Sequence, residues 1–270
     1  MKLTVLVDNN TYIDQYYIGE PAVSYYIEDG DTKVLFDTGY SDVFLKNAAG
    51  MNIDLFQIDY LVLSHGHNDH TGGMKHLLKE QEQKKKCTII AHPHAFCEKK
   101  MEDTIISSPI SVKEAEELGS VIATKDPFFL NTNLLFLGEI PRVMEYESQS
   151  PVGLQKGKGG YVDDYVLDDS ALVYIGAEGI YIITGCSHSG ICNIIEYSKR
   201  VTGKDKVLGV IGGFHLFEID EQTKRTKDYL KEQNIPNLYP CHCTSLKVKG
   251  EFLKELDIEE TGVGLVLRWV

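Results

Sequence analysis

An α/β fold is predicted by three features of the 270-residue sequence. Short runs rich in β-branched and aromatic residues alternate with segments of helical periodicity. Two of those runs, 59–64 (DYLVLS) and 87–93 (CTIIAHP), are apolar almost throughout, as expected of strands covered on both faces. The second half of the chain follows the first half's order of strand then helix, without a strict sequence repeat. Hydrophobic residues make up 43% of the chain, enough for a large core, and the length suits one large domain or two small ones. The reading adopted is one domain over residues 1–270, with a small cap or insertion within 92–150.

Taken in order, strands are predicted at 3–8, 22–29 and 32–39, with Asp29-Gly30 as a hairpin turn. A helix follows over 41–50, with Ser41 as its N-cap and Gly50 as its stop. After the strand 59–64 comes a histidine-rich turn, then a helix over 72–86 and the strand 87–93. Ser111, with Glu114 three residues on, opens a short helix that ends at Gly119. A strand is expected within 133–140, and 148–164, with one Pro and four Gly, reads as a long loop. Strands at 171–176 and 179–185 form a hairpin around Ala177 and Glu178. Helix 190–203, strand 207–213, helix 220–233 and strand 237–243 complete the pattern.

The formal net charge of -13 argues against nucleic acid, whose phosphates need clustered Lys and Arg. Lys84-Lys85-Lys86, the one basic run, reads as the solvated end of a helix. No apolar run approaches a membrane span, and the first ten residues do not read as a signal peptide. The six cysteines form no disulfide pattern and are read as reduced thiols of a cytoplasmic protein.

The most informative stretch is LVLSHGHNDHTGG, residues 61–73, where His65, His67, Asp69 and His70 fall within six positions. Neutral imidazole and carboxylate are standard ligands for zinc and related ions. The turn follows a buried strand and precedes a helix, at the strand end where open α/β sheets bind ligands. Gly66, Gly72 and Gly73 allow a tight backbone path there.

H-x-H-x-D-H after an apolar strand resembles the signature of the metallo-β-lactamase superfamily, and the resemblance covers nearly the whole chain. VLFDTG (34–39) is similar to the superfamily's first motif. TGCSHSG (184–190), VIGGFHL (210–216), GEIPR (138–142) and PCHCTS (240–245) resemble one branch, predicted metal-dependent hydrolases often labelled dihydropterin-type, methanopterin-precursor synthases. The resemblance implies a four-layer αββα sandwich with a dinuclear metal centre at the sheet edge. It implies that His65 and His67 serve one metal, and Asp69 and His70 the other. Asp37 would support this loop by hydrogen bonding. His242 matches the superfamily's last ligand, and either Cys186 or His188 stands near the place of a further one. The family's His in a loop before the late hairpin is missing; Asp163, Asp164 or His188 is left to take that role. The implied cofactor is a pair of divalent ions, zinc first, with manganese or iron as alternatives.

Other residues are singled out by position. His215 ends a strand after two glycines and is read as a ligand, a general acid or a substrate contact. Cys241 and Cys243 flank His242 and are expected to point away from it as packed thiols, if the strand continues. His92 and His94 are read as structural, and His76 as lying on an exposed helix. Lys156 and Lys158, basic residues in an acidic chain, are candidates to close over a small, phosphate-bearing anion, with Arg142 as a second anion contact. The expected activity is hydrolysis of an ester-like bond by metal-activated hydroxide, with Asp69 holding the attacking water and a small molecule as the partner. Two alternatives are an iron redox protein of the flavodiiron type, whose relatives carry a Glu in this motif and a flavodoxin domain, and a metal-binding sensor without turnover.

Overall fold

The apolar runs of the sequence form two face-to-face sheets. The computed structural model describes residues 1–79 and 85–270. In chain order its elements are β1 (Lys2–Val7), β2 (Ser24–Asp29), β3 (Thr32–Phe36), α1 (Val43–Gly50), β4 (Tyr60–Val62), α2 (Asn68–Thr71), α3 (Met74–Lys79), β5 (Cys87–Ala91), β6 (Lys99–Met101) and β7 (Thr104–Ile105). Next come α4 (Val112–Leu118), β8 (Gly119–Ala123), β9 (Phe128–Phe129), β10 (Leu134–Phe136), β11 (Gly153–Gly157), β12 (Gly160–Asp164), β13 (Ala171–Ile175) and β14 (Ile180–Thr184). The remainder is α5 (Ile191–Thr202), β15 (Val207–Gly213), α6 (Glu221–Gln233), β16 (Leu238–Cys241), α7 (Leu246–Phe252) and β17 (Val266–Arg268).

One sheet has the order β17-β1-β2-β3-β4-β5-β8 and the other β16-β15-β14-β13-β10-β9. Within each, a run of strands is parallel: β3-β4-β5-β8 in the first and β14-β15-β16 in the second. Side-chain alternation sorts each strand between two cores. Val62 and Ile90 meet Phe136, Ile183 and Ile211 between the sheets. Their neighbours Leu61 and Ile89 face Phe44 of α1, Leu77 of α3 and Ala115 of α4. On the far side, Ile182 and Val210 pack on Ile194 of α5, Leu230 of α6 and Phe252 of α7. The layers therefore run helix, sheet, sheet, helix, as the αββα reading requires. Both faces of β4 and β5 are covered, which explains their unbroken apolar sequence.

Local signals explain most boundaries. Ser111 Oγ accepts from Glu114 N while the Glu114 carboxylate accepts from Ser111 N, the reciprocal cap expected for α4. Asp220 caps α6 by accepting from Thr223 N, and Gly203 closes α5 in the left-handed conformation. Three expectations need correction. Asp42 rather than Ser41 occupies the N-cap position of α1, without a side-chain cap bond, while the Ser41 hydroxyl one residue earlier donates to Glu20 at 2.6 Å and accepts from Val43 N at 3.3 Å. The helix predicted over 72–86 starts earlier, as α2, and breaks at Gly72-Gly73 before α3; residues 80–84, including Lys84, lie outside the described residues. Residues 148–152 are loop as expected, but 153–164 are not: β11 and β12 pair as a hairpin and join β6 and β7 in a third, four-stranded sheet of order β12-β11-β6-β7.

Candidate metal centre

Six strand ends supply the site: residues just after β1, β3, β4, β14, β15 and β16 gather at one rim. Asp37, Ser187, His215 and His242, each at or just past such an end, have positive φ of 57°, 58°, 49° and 49°. A left-handed residue turns the chain out of the strand at once, at a cost of about 1–3 kcal/mol each, and clusters of such strain mark functional sites. Gly66 shows a second device. A Cβ there would lie 2.1 Å from the Ala95 carbonyl oxygen, so only glycine lets the loop between His65 and His67 approach that backbone.

Two of the donor clusters that result contain the predicted ligands. His65, His67 and His188 bring their donor atoms within 4.8 Å of one another, and so do Asp69, His70, Cys186 and His242. His65 Nε2 stands 3.0 Å from His67 Nδ1, and His70 Nε2 is 3.1 Å from Cys186 Sγ and 3.5 Å from Asp69 Oδ2. Donors sharing one tetrahedral zinc with bonds of about 2.0–2.1 Å sit about 3.3 Å apart, so these spacings fit ions between them.

The hydrogen bonds behind the rings fix which nitrogen is offered. Ser64 Oγ donates to Asp37 Oδ2 at 2.7 Å, which leaves its lone pairs to accept from His65 Nδ1 at 3.0 Å. His70 Nδ1 donates to the same Asp37 oxygen at 2.7 Å. Asn9 Oδ1 takes His242 Nδ1 at 3.1 Å, while Asp8 accepts His242 N at 3.0 Å. In all three rings these bonds engage Nδ1 and leave Nε2 as the nitrogen that faces the cluster. Asp37 and Asp8 play parallel parts, each a fully buried carboxylate after an apolar strand. Asp168 accepts from Gly66 N at 2.8 Å and pairs with the buried Lys99 at 2.6 Å, and Lys99 also pairs with Asp164 at 2.9 Å.

The residues present fit the cations the superfamily resemblance implies. His188 is buried with neither ring nitrogen hydrogen-bonded, and His242 Nε2 is buried with no hydrogen bond, its polar neighbour being the Asp69 carboxylate at 3.3 Å. Unpaired buried polar atoms are costly, and a metal ion would satisfy both. Burial, followed by the neighbouring imidazoles, holds His65 and His188 well below the ordinary histidine value, and burial lowers His67 to about 4; all three are neutral, the ligating form. For His70 burial alone would do the same, but the carboxylates of Asp69 and Asp37 outweigh it and raise the value. Positive charge is favoured at that point, whether proton or metal.

Cys186 and His188 thus both reach the site, in different sets. His188 completes the set of His65 and His67, the place for which the sequence left Asp163 and Asp164 as alternatives; Asp164 is taken up by Lys99, and Asp163 is exposed on β12. His215 packs against His188 with ring centroids 4.2 Å apart and planes tilted by 54°, and it lines the cavity above the clusters. Cys241 is a packed thiol in contact with Tyr25 Oη, as expected. Cys243 is not: β16 stops at Cys241, and the positive φ of His242 breaks the alternation. The Cys243 thiol instead comes within 4.8 Å of Cys186 and His215 and lines the cavity.

Lys156, Lys158 and Arg142 are not brought to that cavity. Lys156 pairs with Glu98 at 2.9 Å on the third sheet, Lys158 sits at the tip of its hairpin, and Arg142 donates to Ser148 Oγ and to the carbonyls of Tyr165 and Val166. His92 bonds Glu139 at 3.0 Å and receives His94 N, a structural pair, and His76 lies half-buried on α3. Among the described residues no helix is long and apolar enough to cross a membrane. The sequence reading missed Asp8, Asn9, Asp168, Lys99 and Cys243. The first had a visible signal, since LTVLVDNN repeats the strand-then-Asp grammar of VLFDTG.

Comparison with known proteins agrees with this geometry. Residues 17–201 match the family described as the metallo-beta-lactamase superfamily. An uncharacterized protein of Methanocaldococcus jannaschii, MJ0448, is 35% identical over 251 residues, 91% of each chain. A second protein of that organism, named 7,8-dihydropterin-6-methyl-4-(beta-D-ribofuranosyl)-aminobenzene-5'-phosphate synthase, is 33% identical over 88% of this chain and 84% of its own. The crystal structure of Tm1679, described as a metal-dependent hydrolase of the beta-lactamase superfamily, superposes with a TM-score of 0.85 at 28% identity, covering 100% of this chain and 99% of that one. By fold, by motif and by these relatives, the chain belongs to the metallo-β-lactamase superfamily.

Proposed function

We propose that the protein is a metal-dependent hydrolase that cleaves an ester-like bond in a small molecule. The observation that carries this reading is the pair of adjoining ligand sets, with buried and unpaired imidazole nitrogens, at the floor of a single cavity. His65, His67 and His188 would hold one ion, and Asp69, His70, Cys186 and His242 the other. Zinc suits the mixture of imidazole, thiolate and carboxylate better than manganese, which favours oxygen. When bound, such ions supply Lewis acidity and a water that ionises at neutral pH. Asp69, whose carboxylate reaches both His70 and His242, is placed to orient that water. His215 presents its ring to the cavity and is positioned to pass a proton to the leaving group. Asp37, Ser64 and Asn9 hold the ligand rings in the tautomers the site needs, and Asp8 anchors the His242 backbone.

The cationic side chains that suggested a phosphate-bearing substrate stand away from the cavity, so that refinement is not retained. One relative is named a synthase; the donor set of this chain supports water activation. The test is elemental analysis of protein purified without added metal, together with a panel of aryl esters, lactones, thioesters and phosphodiesters. Zinc-dependent turnover of at least one class, lost in a folded His67→Ala variant, is expected. Metal-loaded protein that hydrolyses none of them, or that holds iron and consumes oxygen, overturns the proposal.

A further inference from the structure

The cavity over the two ligand sets, about 520 Å³, is bounded away from the metals by apolar side chains, among them Met101, Ile106 and Phe217. Met101 and Phe217 are 51% and 50% exposed, an apolar surface that solvent reaches. A second hollow of about 350 Å³ shares Val152, His188 and His215 with the first, so the two are contiguous across those imidazoles. Its other walls include Ser148, Gln149, Ser150 and Gln222. Among the described residues no Lys or Arg lines either space, and Asp69 is the one carboxylate.

The two arms therefore differ in chemistry. Apolar surface is gained by covering Met101, Ile106 and Phe217. In the hollow, amides and hydroxyls can exchange their bonds to water for bonds to a neutral polar group. A second anion there would lose hydration with no Lys or Arg in the lining to meet it, in a chain of net charge -13. We infer that the substrate spans His188 and His215, with an apolar group against Met101, Ile106 and Phe217 and an uncharged hydroxyl- or amide-bearing group in the hollow beside Ser150 and Gln222. This inference rests on the hydrolytic reading above and adds the substrate class to it.

Four hydroxamates test it, each bringing the same metal-binding head to zinc-loaded protein: acetohydroxamate, phenylacetohydroxamate, the monohydroxamate of succinate and the monohydroxamate of succinamide. Calorimetry should give the phenyl compound an affinity at least about tenfold above the methyl one. The carboxylate compound should bind no tighter than the methyl one. Met101→Ser/Phe217→Ser, which alters only half-exposed side chains, should erase most of the phenyl advantage. Gln222→Leu should weaken the monohydroxamate of succinamide and leave the phenyl compound unchanged. Equal affinity across the series, tighter binding of the carboxylate, or indifference of the amide probe to Gln222→Leu overturns the two-armed assignment and leaves the metal reading standing. Failure of every hydroxamate to bind overturns both.

Discussion

Asp37→Asn separates support of the metal site from mere folding. Asp37 accepts three hydrogen bonds at 2.7 Å, from Ser64 N, Ser64 Oγ and His70 Nδ1. Asparagine has the same size and tolerates the positive φ of 57° found here, so the backbone need not move. It has one acceptor oxygen where two are needed. If that oxygen faces Ser64 N, the amide NH2 faces His70 Nδ1 and favours the tautomer whose Nε2 carries the proton, which cannot ligate. If it faces His70, the buried Ser64 N–H meets a donor, at a cost of about 1–3 kcal/mol. Loss of such a supporting partner typically lowers metal affinity about 10- to 100-fold, or roughly 1.4–2.7 kcal/mol. Chelator competition should show that loss at the set of Asp69, His70, Cys186 and His242, with a smaller change at His65, His67 and His188. Identical competition curves for variant and wild type would refute the reasoning.

Further expectations follow from the same network. Lys99→Met leaves the buried carboxylates of Asp164 and Asp168 without their cation, which should cost about 3–5 kcal/mol in a urea titration; an unchanged midpoint contradicts this. Burial alone would raise the Asp168 carboxyl, but the Lys99 ammonium outweighs it and holds it below the ordinary 3.8. Its folded value lies under its unfolded one, so its contribution is present above about pH 4 and is lost as pH falls through the folded value. Asp168→Asn should therefore flatten the acid limb of stability measured between about pH 2 and pH 5. Gly66→Ala must push its methyl into the Ala95 carbonyl, and should abolish metal retention by displacing His65 and His67. Removing metal with a chelator should lower the melting temperature and adding zinc restore it, by about 2.7 kcal/mol when free zinc is a hundredfold above its Kd.

How much of this was legible in the sequence depended on how local each signal was. The parallel strands around β4 and β5 declared themselves because both their faces are buried. The turn HGHNDH did so because six consecutive positions hold four donors. Distant partners were harder. His188 and Cys186 lie two residues apart, and only the fold brings them into different donor clusters. Cys243 was misread because pleat alternation was extended beyond Cys241, where the left-handed His242 ends it. The hairpin of β11 and β12 was hidden by its glycines and lysines, since a strand exposed on its outer face carries little apolar pattern. Lys156 looked free in the sequence because Glu98, its partner, is 58 residues away. The three-residue β17, which pairs with β1, left no periodicity to read.

The most direct test of the central claim is an anomalous difference map from crystals of protein purified without added metal. Two peaks are expected, one enclosed by His65, His67 and His188 and one by Asp69, His70, Cys186 and His242. A map with no peak among these seven side chains, from crystals in which they adopt the arrangement described, would contradict it.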